Sequence, residues 1–184
     1  MADIVVSSGP AVPYVGFNTD RWYAHRFYYG NAVHPTTGVA GQAAVFTANL
    51  IVPAYTLLID IVVTSQALWN QGTSAALVVG DADDPDGFIV SVDCKATDLL
   101  QYESISIGAN TGLAGGKIGA YMANSQWCKG SGTYGQLSPA VRTLTATLTT
   151  VGTAATTGDI YVYWKVLLPM SASEPTRVAT VVLS

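Results

Sequence analysis

Residues 55–92, YTLLIDIVVTSQALWNQGTSAALVVGDADDPDGFIVSV, decide the fold of this chain. Residues 56–64 alternate between two faces, and period-two alternation with β-branched residues is typical of a strand with one buried face. The apolar face of this strand consists of Leu57, Ile59, Ile61 and Val63. A polar turn, an apolar run at 75–79, the breaker cluster 80–87 and a third run at 88–92 follow. The stretch therefore predicts an antiparallel meander within a β-sandwich.

The same alternation recurs on both sides of this meander. Residues 159–168 carry an apolar face, and we expect the opposite face, with Tyr161, Tyr163 and Lys165, to be half exposed or covered by a partner. The other predicted strands lie at 44–52, 104–107, 118–122, 141–149 and, as a strand or a C-terminal tail, 177–183. About eight short strands separated by turns favour an all-β fold, a jelly-roll-like antiparallel β-sandwich.

The composition limits the class of protein. The 184 residues suit one domain, and 11% of them are charged, against about 25% in an average soluble domain. Apolar runs stop well short of the about 18–20 residues of a membrane-spanning helix, so we expect no membrane insertion. A net charge of −4 argues against nucleic-acid binding. The N-terminal sequence lacks a secretory signal pattern, which predicts synthesis in a cytoplasm. The sparse charge suggests that other proteins cover much of the surface.

Residues 1–42 differ from the rest of the chain. Their prolines and glycines discourage long regular elements, which predicts an irregular N-terminal arm at 1–42 and a β-sandwich domain at 43–184. An aromatic block, RWYAHRFYY, occupies 21–29, with a short helix over 20–29 as one possibility. Because Trp, Tyr and Arg are enriched at binding hot spots, the block either docks on a neighbouring subunit or folds over its own sandwich. The candidate partner-binding residues are Trp22, Tyr23, Arg26, Phe27, Tyr28 and Tyr29.

An acidic loop at 80–87 holds four of the twelve carboxylates, and clustered carboxylates can bind Ca²⁺. Its spacing departs from the EF-hand pattern, because Pro85 occupies the third oxygen-donor position and no glutamate closes the loop. Asp-Pro-Asp-Gly is also a good turn sequence, in which Gly87 supplies a positive φ. We expect a solvated turn, with a metal site as the alternative.

No motif in the sequence predicts catalysis. A nucleophile–histidine–carboxylate arrangement would draw on His25 or His34, with Asp20 near the first. There is no Gly-x-Ser-x-Gly elbow, no phosphate-binding glycine loop and no Cys-x-x-Cys pair. Cys94 and Cys128 are expected to be free thiols in a protein made in a cytoplasm. We therefore expect a non-enzymatic protein with no metal ligand and no cofactor.

Aromatic and amide side chains also suggest a glycan-binding groove. Aromatic residues at strand ends are more often core lids or interface anchors, so glycan binding is the alternative interpretation. The residues of such a groove would be Trp69, Asn70, Gln71, Asn124, Gln126, Trp127 and Tyr134.

A set of structural segments spread over residues 43–168 resembles a known group of proteins. The segments are 44–48 (AVFTA), 57–63 (LLIDIVV), 67–81 (ALWNQGTSAALVVGD), 84–88 (DPDGF), 95–99 (KATDL) and 115–121 (GGKIGAY), with the strands at 142–150 and 160–166. This pattern is similar to that of small β-rich structural proteins of tailed bacteriophages, of the head decoration, cement or head-fibre type. The aromatic residues at 14–29 are not part of the pattern.

The resemblance implies a function in the virion. It implies a protein of the capsid surface that sits on or between subunits of the major capsid protein, as a homotrimer, after synthesis in the host bacterial cytoplasm. A cement protein of this kind stabilises the capsid lattice by burying surface across subunit boundaries, without enzymatic activity. The alternative is a receptor- or glycan-binding tail or fibre module of a phage particle.

Overall fold

The computed structural model describes residues 20–30, 35–38, 43–54, 56–107, 117, 119–123 and 140–167. These residues form two antiparallel sheets around one hydrophobic core, which confirms the predicted all-β sandwich. Their strands are β1 (Asp20–Tyr28), β2 (Pro35–Gly38), β3 (Ala44–Val52), β4 (Leu57–Ala67), β5 (Ser74–Gly80), β6 (Ile89–Asp93), β7 (Ser104–Ser106), β8 (Arg142–Val151) and β9 (Asp159–Leu167).

The strand order is β1-β9-β4-β7 in one sheet and β2-β3-β8-β5-β6 in the other. Four of the pairings are nested along the chain: β5 pairs with β6, β4 with β7, β3 with β8 and β1 with β9. The chain therefore changes sheet from β3 to β4 and again from β4 to β5. Because β1 and β9 are far apart in sequence, the four-stranded sheet is complete only when both ends of the described chain have met.

Alternation along β8 and β9 builds the centre of the core. The residues predicted to face inward are buried in both strands: Leu144, Ala146, Leu148, Ile160, Val162, Trp164 and Val166. Trp164 also joins the two sheets, because its indole N–H donates a 2.8 Å hydrogen bond to the carbonyl of Ile51 in β3. Its ring stacks on Tyr23 of β1, with centroids 5.3 Å apart.

β4 departs from the predicted alternation. A register shift between Leu58 and Asp60 marks an extra residue in the strand. Such a bulge exchanges the two faces of a strand on one side of it. Ile61 and Val63 are buried as predicted, but before the shift Leu58, rather than Leu57, lies in the core.

The helix considered for residues 20–29 is wrong, because this segment contains β1. The strand pairs with β9 over nine positions, from Asp20 opposite Leu167 to Tyr28 opposite Asp159. The described part of the aromatic block thus folds on its own sandwich.

The proposed boundary at residue 42 does not separate an arm from the sandwich in the described residues. β1 is an outer strand of the four-stranded sheet, and β2 pairs with β3 in the five-stranded one. Residues 1–19 of the predicted arm lie outside the described residues. Of the prolines and glycines at 30–41, Pro35 and Gly38 lie within β2 itself, and Gly30 lies in the turn after β1.

The strand predicted at 118–122 is wrong in part, because Ala120–Ala123 form one helical turn, α1. Backbone hydrogen bonds still align this segment with the start of β6: Gly119 N–H donates to the Phe88 carbonyl at 3.0 Å and Tyr121 N–H to the Gly87 carbonyl at 2.9 Å. A Cβ at position 119 would lie 2.2 Å from the Gly87 backbone, so only glycine permits this approach. The possible strand at 177–183 lies outside the described residues.

Leu148 tests the assignment of the core. We expect Leu148→Ala to lower the free energy of unfolding by about 2–5 kcal/mol, because it empties part of a fully buried site. Thr149→Ala is the control, since Thr149 is exposed on the other face of β8 and should change that free energy by less than about 0.5 kcal/mol. Denaturant titration measures both, and equal losses would contradict the assignment.

Candidate interaction surface

β1 divides the predicted aromatic block between the core and the surface. Tyr23 and Phe27 are buried in the core. Since side chains alternate along a strand, Trp22, Arg26 and Tyr28 lie on the outer face of the four-stranded sheet. Trp22 is 38% exposed, which is high for a tryptophan. Three of the six candidate contact residues therefore lie together on the outer face of the sheet, where a partner could contact them.

The sixth candidate, Tyr29, follows the end of β1. It is half-buried and packs against the core cluster, and its ring lies 4.9 Å from that of Tyr28. Its backbone N–H donates to the Gly158 carbonyl at 3.0 Å, which ties the end of β1 to the turn before β9. Tyr29 thus anchors the strand end.

β9 supplies the other half of this surface. Tyr161, Tyr163 and Lys165 face outward and are half-buried, which is one of the two outcomes predicted for them. The rings of Tyr161 and Tyr163 stack with centroids 5.9 Å apart and an angle of 11° between their planes. We call the combined outer surface of β1 and β9 the aromatic face; it consists of Trp22, Arg26, Tyr28, Tyr161, Tyr163 and Lys165.

Arg26 lies at one end of the aromatic face and contacts two of its rings. Its guanidinium group donates two hydrogen bonds to the carboxylate of Asp159, of 2.7 and 2.8 Å. The carbon of the guanidinium group lies 4.6 Å from the ring centroid of Tyr28 and 5.6 Å from that of Tyr161. The hydrogen bond to Asp159 raises the pKa of Arg26 above its ordinary value. A bidentate pair stacked between rings fixes the arginine in one orientation.

A second charged group stands at the other end of the face. The Lys165 ammonium nitrogen lies 5.6 Å from the centroid of the Trp22 ring. In the next strand, Asp60 lies opposite Lys165 in the sheet register. The Asp60 carboxylate also accepts hydrogen bonds from the Ser106 hydroxyl, at 2.9 and 2.7 Å. Each basic group of the face thus has an acidic neighbour on the adjoining strand.

This arrangement limits what the aromatic face can bind. Two basic and two acidic groups balance, so the face offers aromatic area with little net field. Burial raises the pKa of Tyr163, whose hydroxyl therefore stays protonated and able to donate at neutral pH. Such a surface suits a polypeptide partner. Asp159 and Asp60 were not among the candidate residues, because cross-strand register cannot be read from one strand alone.

The acidic loop forms a closed turn. Oδ1 of Asp81 accepts the backbone N–H groups of Asp83 and Asp84, at 3.0 and 2.9 Å, and the hydroxyl of Tyr121 at 2.9 Å. Gly87 N–H donates to the Asp84 carbonyl at 3.1 Å. The described residues contain no group of three or more His, Cys, Asp or Glu side chains able to hold a metal ion. Asp81 therefore holds the turn through these hydrogen bonds. The positive φ predicted for Gly87 is wrong, because the glycines with positive φ among the described residues are Gly152 and Gly158.

The proposed glycan groove is only partly described. Trp69 is buried, and its indole N–H donates a 3.3 Å hydrogen bond to the Gln71 side chain, so it is a core lid. A groove of about 570 Å³ opens beside it, with Asn70, Lys95 and Gln101 among its lining residues. The remaining predicted members, Asn124, Gln126, Trp127 and Tyr134, lie outside the described residues.

The histidine and cysteine candidates do not come together in the described residues. His25 is half-buried on the core side of β1, and its ring meets Phe27 edge to face at 4.9 Å. Cys94 is a buried free thiol, and burial raises its pKa far above the usual range, so it is unreactive at neutral pH. His34 and Cys128 lie outside the described residues.

Comparisons with known proteins identify no relative. Neither the protein-family models, nor the curated proteins, nor the solved structures contain a match to this chain. Within the described ranges, no helix has the length and apolarity needed to span a membrane.

Asp84 provides a test of the turn interpretation. Burial raises the pKa of Asp84, and a hydrogen bond with the neighbouring Asp86 raises it further. A carboxyl whose pKa is raised on folding stabilises the folded state at low pH, and this contribution is lost as pH rises through the folded pKa. We expect Asp84→Asn to raise Tm slightly at about pH 7, because asparagine can donate to Asp86 without a charge. The gain should disappear near about pH 3, where Asp84 is protonated.

Thermal unfolding across this pH range, with and without Ca²⁺, measures the effect. Asp83→Asn is the control, because the Asp83 side chain is exposed and it is the backbone N–H of Asp83, rather than its carboxylate, that bonds to Asp81. A Ca²⁺-dependent rise in the Tm of the wild type that Asp84→Asn abolishes would contradict the turn interpretation and support the metal site.

Proposed function

We propose that this chain is a structural protein of a bacteriophage virion, a capsid decoration or cement protein that binds the major capsid protein without enzymatic activity. The observation that carries the proposal is the aromatic face, an exposed set of Trp, Tyr and Arg side chains on a rigid sheet. The resemblance of residues 43–168 to small phage structural proteins supplies the kind of partner.

The strand pairing supports a jelly-roll assignment of the sandwich. A jelly roll has eight strands in two sheets, and it can be formed by rolling up one long antiparallel hairpin. Without the short outer strand β2, eight strands remain, and their pairings are nested as such a hairpin requires. This fold occurs in viral capsid domains but also in lectins, so it supports the virion proposal without deciding it.

The chemistry of the aromatic face suits an interface that forms once and persists. Tyr and Trp bring large contact area with few rotatable bonds, so little conformational entropy is lost when they are buried. Arg26 is already fixed by Asp159 and by the two rings beside it. A face prepared in this way loses little freedom on binding, which leaves more of the contact energy as affinity.

Many copies on one lattice strengthen weak individual contacts. A protein that touches two neighbouring capsid subunits gains effective concentration for its second contact. A homotrimer, which the resemblance implies, would add further contacts of the same kind. The virion surface is the proposed location, and the host bacterial cytoplasm the proposed site of synthesis.

Single substitutions on the aromatic face test the proposal better than removal of the N-terminal segment. Deletion of residues 1–30 would remove β1 from the four-stranded sheet and with it Tyr23 and Phe27 from the core. A loss of binding after that deletion would report unfolding. Point variants of exposed side chains avoid this ambiguity.

We expect Trp22→Ala and Tyr163→Ala each to weaken binding to phage particles that lack this protein by about 30-fold, the effect of losing a hot spot of about 2 kcal/mol. Co-sedimentation of the purified protein with the particles measures the affinity. Ile51→Ala is the matched control, because Ile51 is 37% exposed, close to the 38% of Trp22, but lies in the other sheet. Wild-type protein that does not bind the particles at all would refute the proposal.

The alternative function, a receptor- or glycan-binding tail or fibre module, is favoured by the groove beside Trp69. Its volume of about 570 Å³ is that of a small-ligand site, and its walls carry amide and ammonium groups. Lys95 is one of its lining residues, and the ammonium group donates to the carbonyls of Gly72 and Thr73, at 3.5 and 3.1 Å.

Lys95→Met separates the two functions, because it keeps the aliphatic stem and removes the charge. If the groove binds glycans, the wild type should bind specific oligosaccharides on a glycan array, and Lys95→Met should bind them at least about tenfold more weakly. Particle binding through the aromatic face should not change. An array without any wild-type signal would exclude this alternative.

A further inference from the structure

The turn between β6 and β7 presents two large apolar side chains to solvent. Leu100 is 56% exposed and Tyr102 is 73% exposed, which makes them the most exposed large apolar residues of this region. Leu99, next to them, is fully buried and anchors the loop in the core. We call residues 100–103 the apolar turn.

The backbone of the apolar turn is strained. The Glu103 N–H donates to the Leu100 carbonyl at 3.0 Å, which closes a four-residue turn. Tyr102, at its third position, has φ of +65°. A turn of this kind normally places glycine or asparagine there, because a larger side chain clashes with the backbone. A tyrosine at this position therefore costs folding stability relative to glycine or asparagine.

Hydrogen bonds hold this strained conformation against β4. Tyr102 N–H donates to the Ser65 carbonyl at 2.7 Å, and Ser65 N–H donates to the Glu103 carbonyl at 3.2 Å. The Glu103 carboxylate accepts the Leu100 N–H at 2.8 Å. The Gln101 amide donates to the Gln66 carbonyl at 3.1 Å. The exposed side chains are therefore presented from a fixed backbone rather than from a loose loop.

The apolar turn adjoins the four-stranded sheet that carries the aromatic face. Thr64, whose hydroxyl donates to the Glu103 carbonyl at 3.0 Å, lies opposite Tyr161 in the sheet register. The backbone of the apolar turn is thus bonded to β4, which is the strand next to β9 in the sheet that carries the aromatic face.

The charges of this region select the chemistry of the partner. Residues 96–107 contain Asp98 and Glu103 and no lysine or arginine. Asp98 is paired with Lys117 at 2.9 Å, and Glu103 is bonded within the turn. Because Asp98 is paired, residues 96–107 present two apolar side chains and no basic group of their own that would attract anionic lipid or nucleic acid. The apolar turn suits an apolar pocket in a protein.

We propose that the apolar turn is a preformed plug, in which Leu100 and Tyr102 enter an apolar pocket of the protein that binds the aromatic face. This inference rests on the proposed function and adds to it a specificity element. The strain at Tyr102 is retained because the tyrosyl ring must project from a fixed position. Rigidity before binding reduces the entropy lost on docking.

Tyr102→Asn tests the plug, because asparagine tolerates a positive φ and removes the ring. We expect this variant to bind phage particles at least about tenfold more weakly than the wild type, while its Tm stays equal or rises by about 2–4 °C. Tyr102→Phe keeps the ring and should bind as the wild type does. Leu100→Ser, which leaves the turn backbone unchanged, should weaken binding in the same way without lowering Tm.

Four other outcomes would overturn the plug, the proposed function or both. Wild-type affinity in Tyr102→Asn, together with weak binding of Trp22→Ala, would overturn the plug and leave the proposed function intact. A lower Tm in Tyr102→Asn would show that the ring packs on its own chain, which also overturns it. Binding of the wild type to anionic phospholipid vesicles that Tyr102→Asn abolishes would replace the protein pocket by a membrane. A wild type that binds no particle removes both proposals.

Discussion

The pairing of β9 with β1 on one side and β4 on the other is the constraint on which the rest of the structure depends. β9 lies between two strands of its sheet, and the two faces of β9 have different environments. One face sends Val162 and Trp164 into the core, and the other presents Tyr161 and Tyr163 to solvent. A slip of one residue in either register would exchange these two sets. The stability of the sandwich and the composition of the aromatic face are thus fixed by the same hydrogen-bond ladder.

Regular alternation made much of this fold predictable from the sequence. Over residues 144–148 of β8 and 160–166 of β9, one face is apolar at every second position, so strand, inward face and outward face follow from the pattern. The burial of Arg142 and Thr150 at the two ends of β8 does not follow from it. β4 was correctly predicted as a strand, but its bulge was not. Both faces of this strand carry apolar residues, so the sequence does not mark the extra residue, and Leu58 rather than Leu57 is buried. β1 was harder still. Its two faces are both aromatic, so burial of Tyr23 and Phe27 leaves no polar–apolar contrast to mark the strand.

The candidate surface was predictable in composition and not in geometry. The residue types of the block at 21–29 indicated an interface, and β9 indicated a second exposed face, yet nothing in the sequence joined them. Their meeting depends on a pairing between strands more than a hundred residues apart, as in the contact of Arg26 with Asp159. Long-range pairings of this kind cost loop entropy and are decided by the whole fold rather than by local preference. Half of the candidate contact residues consequently lie in or against the core, where the same aromatic chemistry serves packing.

Tyr102 has a strained backbone although its side chain does not pack in the core. Elsewhere in the described chain, Gly119 passes the Gly87 backbone and Gly152 adopts a φ of +103°. Ala96 is a second non-glycine residue with a positive φ, of +111°. Tyr102, at +65° in an exposed turn, is thus one of two non-glycine residues with a positive φ in the described chain, and it has the larger side chain of the two. Strained backbone tends to persist where the surrounding structure holds it and where function gains from it. Six backbone and side-chain hydrogen bonds to β4 and within the turn meet the first condition. Because the Tyr102 side chain is largely exposed, packing within the chain does not account for the second condition, which the proposed contact with a partner protein would meet.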